Sequence, residues 1–148
     1  MKQLTKEEYI EAIHALQKPM AKTGEIASHM GVRPPSVTQM LVKLKDDGLV
    51  EYEPFIGARL TRKGEKVAAE LMARHRVIAD FLAILGIDKE LAERDACVIE
   101  HHMSRESAAR LKQFVEFIQS APRDPQWVGK FRKYCETGER ECGDVKER

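Results

Sequence analysis

The sequence predicts a mainly α-helical protein of two domains, the first closed by a small β-hairpin, and three observations carry that expectation. Apolar residues recur at three- and four-residue spacing along most of the 148 residues. Aromatic residues make up only 6%, with 9 Gly and 6 Pro, a composition that leans helical. The spacing switches to strand-like alternation only near Leu49–Glu53. Charge is high but balanced, 25 Lys and Arg against 24 Asp and Glu, which excludes a generally polyanion-coating protein and an acidic disordered chain. No apolar run is long enough to cross a bilayer, no secretory leader pattern opens the chain, and three scattered Cys make no disulfide framework. Together these point to the cytoplasm and away from a membrane partner.

Taken in order, Thr5-Lys-Glu-Glu8 reads as a capping box opening a first helix, with Ile10, Ile13 and Leu16 on its apolar stripe and Pro19 beyond its end. A short second helix follows Thr23, carries Ile26, Ala27 and Met30, and stops at Gly31. Pro34-Pro35 restart the chain, and a third helix over about 35–47 places Val37, Met40, Leu41 and Leu44 inward before Gly48. Leu49–Glu53 reads as a strand, Pro54–Gly57 as a turn and Ala58–Leu60 as the returning strand. Thr61 caps a long helix whose stripe runs through Val67, Leu71, Ile78, Leu82 and Leu85 to Gly86. Asp88 caps the next, with Leu91, Val98 and Ile99. Ser104 caps another, with Leu111, Phe114, Val115 and Ile118 inward, and a last short helix holds Trp127, Phe131 and Tyr134. The expected domains are 1–70 and 71–138, followed by a polar tail over 139–148.

Helix, Gly-containing turn, helix and hairpin is the order of a winged helix-turn-helix. In that arrangement the second helix braces the third, whose first turns enter a DNA major groove about 12 Å wide. The polar residues there are Arg33, Ser36, Thr38, Gln39 and Lys43. Hydroxyls and amides suit base edges, and Lys and Arg suit phosphates. Arg59, near the tip of the hairpin, is placed to meet the backbone or minor groove. Residues 18–66 hold nine Lys and Arg against six Asp and Glu, so this segment is modestly basic. The alternative is the ordinary polar face of a protein-binding domain.

A second pattern is a row of metal-ligand types. Cys97, Glu100 and His101 stand at i, i+3 and i+4, so a thiolate, a carboxylate and an imidazole share one side of a helix turn. His75 falls on the inward stripe of the preceding helix, and Glu8 and Glu11 are i, i+3 on the first. Each has a structural alternative: Glu8 as the capping-box acid, Glu11 as a solvated charge, His75 as a core histidine, Cys97 as a small buried hydrophobe. His14 and His102 read as structural or surface residues, and Cys135 and Cys142 receive no role. No residue outside the ligand set offers an evident nucleophile or acid–base partner, so neither an enzyme nor a small organic substrate is expected. A helical metalloenzyme is the alternative from a different class.

The combination Glu8-Tyr-Ile-Glu11, Pro35-Ser-Val-Thr-Gln39, Leu60-Thr-x-x-Gly64, Arg74-His75 and Cys97-x-x-Glu100-His101-x-Met-Ser104 resembles the diphtheria toxin repressor family of metal-dependent transcriptional repressors, over roughly residues 5–120. The resemblance implies a homodimer, a winged helix with Pro35 among its DNA-contacting positions, a helical metal-binding and dimerisation domain, and a palindromic operator bound when Fe(II) or Mn(II) is present. Cys97 is like the iron-sensing branch, which carries Met where Glu8 stands and an ancillary carboxylate where Ala79 stands. Glu8 and Glu11 are like the manganese regulators, which carry Glu where Cys97 stands. An SH3-like third domain of the longer iron regulators is not expected in 148 residues. A thiolate favours Fe(II), Co(II), Ni(II) or Zn(II) over Mn(II). Fe(II) is therefore the expected metal and Mn(II) the alternative, with Co(II), Ni(II) or Zn(II) able to substitute in vitro.

Overall fold

A computed structural model describes residues 4–141, and the end of the tail, with Cys142, lies outside them. The elements in chain order are α1 (Lys6–Leu16), α2 (Thr23–Met30), α3 (Pro34–Asp46), β1 (Val50–Glu53), β2 (Gly57–Leu60), α4 (Arg62–Ile84), α5 (Lys89–Ile99), α6 (Arg105–Gln119) and α7 (Gln126–Thr137). The chain divides into two compact units between Ala73 and Arg74.

In the first unit Thr5 closes the capping box: its hydroxyl accepts from Glu8 N–H, and Glu8 Oε2 accepts from Thr5 N–H at 2.6 Å. Gln17, in the left-handed region, ends α1 two residues before Pro19. Gly31 ends α2 with φ 66°, a conformation glycine adopts without steric cost. Pro34 and Pro35 begin α3, where a missing N–H breaks no helical bond. The i, i+4, i+7 residues Val37, Leu41 and Leu44 turn fully inward onto Ile10, Ile26 and Val50. Each such burial is worth about 1.5–3 kcal/mol.

β1 and β2 pair antiparallel, with Val50 opposite Leu60 and Glu51 opposite Arg59. Burial alternates along β1, placing Val50 and Tyr52 in the core and Glu51 and Glu53 in solvent. Ala21 adds a single bridge to Ala58, exchanging two backbone hydrogen bonds of 2.8 Å. Two glycines make this packing possible. A Cβ on Gly57 would stand 2.7 Å from the Ala21 carbonyl oxygen, and one on Gly64 would stand 2.1 Å from that of Leu49.

The second unit is helical. Asp88 accepts from the N–H groups of Glu90 and Leu91 to cap α5, and Ser104 accepts from Ser107 N–H to cap α6. Its core contains Ile78, Ala79 and Ala96, with Leu82, Ile99, Met103 and Leu111 packed around them. An apolar groove of about 780 Å³ opens among residues of α4, α5 and α6, walled by Phe81, Leu82, Ile99 and Phe114 and rimmed by Glu106 and Arg110. Phe114, expected inward, is 37% exposed and stacks edge-on against Phe81 and tilted against Trp127. On α7 only Val128 is buried, while Trp127, Phe131 and Tyr134 keep partly exposed faces. Among the described residues no helix is long and apolar enough to cross a membrane.

Candidate metal centre and nucleic-acid interface

In the second unit three of the expected ligands come together. α4 supplies His75, and α5 supplies Cys97 near its end and Glu100 at its C-cap. One ligand atom from each lies within 4.8 Å of the others. His75 Nδ1 is 3.0 Å from Glu100 Oε2 and 3.8 Å from Cys97 Sγ. Glu100 is the one charged side chain buried among the described residues, at 1% exposure. A buried carboxylate requires compensating partners, and the His75 ring supplies one. His101 Nε2 stands 3.5 Å from Glu100 Oε1, with its ring largely buried. The Glu100 backbone carbonyl accepts from Arg74 Nη1 at 2.9 Å, which ties the end of α5 to α4.

Cys97 is exposed, which removes the small buried hydrophobe as an account of it. His75 is half-buried and polar on both ring nitrogens, not a core histidine. Burial by itself pushes the His75 imidazole down, but the carboxylates of Glu93 and Glu100 outweigh it and hold the ring above its ordinary value. Hydrogen bonding to His75 in turn lowers the Glu93 carboxyl. Imidazole nitrogen, cysteine sulfur and a buried carboxylate within 4.8 Å of one another are a donor set that fits a divalent transition metal. Ala79 is buried in the core beside Ile78 and Ala96 and offers no ligand atom. Glu8 and Glu11 sit half-buried one turn apart on α1, in the first unit, where Glu8 also serves the helix cap.

Sequence reasoning passed over Glu93. Its carboxylate is 2.6 Å from His75 Nε2, and the signal was present: Glu93, Cys97 and Glu100 stand at i, i+4 and i+7, one stripe of α5.

In the first unit the expected DNA-contacting residues lie on the outer side of α3. Arg33 is its N-cap, and Pro35, Ser36, Thr38, Gln39 and Lys43 are all exposed. No acidic residue falls between Gly31 and Lys45, so this face and the helix N-terminus both favour a polyanion. Thr38 spends its hydroxyl proton on the Pro34 carbonyl at 3.2 Å, so it reaches outward as an acceptor and a methyl group. Arg59, expected near the hairpin tip, lies two residues beyond Gly57, opposite Glu51, and pairs with it at 2.5 Å. The tip itself is apolar, with Phe55 wholly exposed and Ile56 54% exposed. Val42, 47% exposed beside Lys43, is a further outward residue that an inward-stripe reading omits. An apolar pair inside the turn Pro54–Gly57 was the available signal, since turns are ordinarily polar.

Comparison with known proteins agrees with this two-part layout. The family described as "Iron dependent repressor, N-terminal DNA binding domain" matches residues 3–58. The one described as "Iron dependent repressor, metal binding and dimerisation domain" matches residues 61–128. The HTH-type transcriptional regulator MntR of Lysinibacillus sphaericus (strain C3-41) is 39% identical over 118 residues, 78% of this chain and 85% of that protein. The crystal structure of ScaR with bound Zn2+ superposes with a TM-score of 0.69 at 33% identity, over 80% of this chain and 57% of that one. The structure of the manganese regulator SloR gives 0.64 at 31% identity, over 78% and 55%. The chain thus spans little more than half the length of these solved relatives.

Proposed function

The chain belongs to the diphtheria toxin repressor family of metal-dependent transcriptional repressors, and we propose that it is an Fe(II)-responsive member controlling metal-homeostasis genes. It is a regulator rather than an enzyme. The observation that carries the Fe(II) reading is Cys97 within the His75, Cys97 and Glu100 cluster, because a thiolate suits Fe(II) better than Mn(II). Mn(II) is the second reading. It is favoured by the carboxylates of Glu8 and Glu11 and by the likeness to the manganese regulator SloR.

The proposed ligand set is Glu8, Glu11, His75, Cys97, Glu100 and His101. A bound divalent cation supplies positive charge that offsets the mutual repulsion of these carboxylates. Cys97 and His75 offer soft donors that discriminate among metals, and buried Glu100 fixes the centre of the set. Because Glu8 and Glu11 lie on the helix that packs behind the DNA-reading elements of its own unit, ligation by them places metal occupancy and DNA binding in one equilibrium. Metal and operator then strengthen each other's binding by the same factor.

In this reading α3 enters the major groove of a palindromic operator. Ser36, Thr38 and Gln39 face base edges, Pro35 lies against the groove, and Arg33, Lys43 and Arg59 meet phosphates. A homodimer matches the two half-sites. The apolar groove of the second unit, with Leu91 and Val98 exposed on α5, is a surface suited to a second copy of the chain.

The test is anaerobic operator selection and binding across Fe(II), Mn(II), Co(II) and Zn(II), with Cys97→Glu alongside. The native chain is expected to bind DNA tightly with Fe(II), and Cys97→Glu to shift the preference toward Mn(II). An unchanged ranking would remove Cys97 from metal choice. DNA binding indifferent to every metal would remove the switch.

A further inference from the structure

We propose that Glu93 is a positioning residue for the metal centre: its carboxylate anchors Nε2 of His75 and so presents Nδ1 to the ion, alongside Cys97 and Glu100. The inference rests on the reading of His75 as a ligand and goes beyond it, because Glu93 is outside the proposed ligand set.

The geometry is specific. Glu93 Oε2 lies 2.6 Å from Nε2, whereas Nδ1 faces Glu100 Oε2 at 3.0 Å and Cys97 Sγ at 3.8 Å. The two nitrogens of the ring are therefore divided, one toward the ligand cluster and one away from it. Coordination through Nδ1 needs its lone pair, so the ring proton must sit on Nε2. Glu100 alone pulls the other way: an acceptor 3.0 Å from Nδ1 favours a proton there and blocks the metal. Glu93 is the counterweight, a charged acceptor at shorter range on the opposite nitrogen. Histidine ligands generally donate their second N–H to such a partner, whose loss typically costs about 10–100-fold in metal affinity.

The sequence builds this economically. One stripe of α5 carries Glu93, Cys97 and Glu100 at i, i+4 and i+7, so a single helix supplies two ligands and the group that orients the third. Glu93 is also half-exposed, at 49% of its side chain. Replacing it with Ala, the best helix former, leaves the core of the unit untouched.

The experiment uses the full chain, stripped of metal and titrated with Co(II) against a competing chelator. Glu93→Ala is expected to lower Co(II) affinity by about 10–100-fold with the number of ions per chain unchanged. Glu93→Gln, which keeps an acceptor without the charge, should recover part of that loss. A second reading needs no metal: nitrogen NMR of the metal-free protein, at a pH where the His75 ring is neutral, should show the proton on Nε2. Glu93→Ala should move it to Nδ1. A proton on Nδ1 in the native chain, or Glu93→Ala affinity equal to the native value, overturns the proposal. Loss of one bound ion in Glu93→Ala also overturns it, because Glu93 would then be a ligand. His75→Ala separates the two levels: native affinity in that variant removes the underlying ligand reading, whereas a loss there without one in Glu93→Ala removes only the positioning role.

Discussion

Gly64→Ala is the substitution whose cost the structure specifies most directly. Gly64 lies in the first turn of α4, and its α-carbon faces the backbone of Leu49. An added Cβ would stand 2.1 Å from the Leu49 carbonyl oxygen, 3.1 Å from its carbon and 3.3 Å from Leu60 Cβ, where ordinary contact begins at 3.4 Å. The chain must therefore open by more than an ångström against backbone. That carbonyl already accepts from Thr61 N–H at 3.0 Å, and Thr61 Oγ1 both donates to Gly48 O at 2.7 Å and accepts from Gly64 N–H at 3.1 Å. Overpacking costs about 1–3 kcal/mol and a disturbed hydrogen bond about 1 kcal/mol, against a gain of up to about 1 kcal/mol for Ala over Gly in a helix. The net is about 2 kcal/mol of destabilisation. At about 2–4 °C per kcal/mol for a chain of this size, Tm should fall by about 4–8 °C. The assay is thermal denaturation followed by circular dichroism, in chelator so that bound metal does not move Tm. Gly24→Ala is the matched control: it lies in the first turn of α2 with nothing within 4 Å of its added Cβ, and a small rise in Tm is expected there. Gly64→Ala as stable as Gly24→Ala would refute the steric argument.

Three further outcomes are expected. Glu100→Gln keeps the shape of the buried side chain but removes its charge, and chelator competition should show a greater loss of metal affinity than the roughly 10–100-fold typical of an outer partner. With operator DNA, Lys43→Ala should reduce the salt-dependence slope by about 1 and weaken all sequences alike, whereas Gln39→Ala should relax preference at one base pair by about 1–3 kcal/mol. Leu91→Glu, in the acid-tolerant first turn of α5, should shift the chain toward monomer in sedimentation without changing its metal-free helicity. An unchanged dimer would exclude this part of α5 from the interface.

The fold was legible in the sequence because its punctuation is local. Thr5 with Glu8, Gly31, Pro34-Pro35, Asp88 and Ser104 each act within one helical turn, and each marks a helix end in the structure. The cluster of His75, Cys97 and Glu100 was legible in part for the same reason: Cys97 and Glu100 are one turn apart, and His75 comes from a second helix. What the pattern did not convey is direction. Spacing placed Arg59 near the hairpin tip, but only the register shows that its Nε is paired with Glu51 across the hairpin. Spacing placed Phe114 inward, yet the groove beside it leaves its ring partly open. Glu93 is the sharpest case. In the sequence it is one acid among 24 Asp and Glu, and although it shares a stripe with Cys97 and Glu100, spacing alone gives an acid there the same appearance as a solvated charge. It acquires meaning only through a nitrogen on another helix, and only because that ring's opposite nitrogen is already committed. Ligand types can be read from spacing, whereas the proton arrangement that makes a histidine a ligand depends on which carboxylate faces which side of the ring, and that is a property of the packed helices alone.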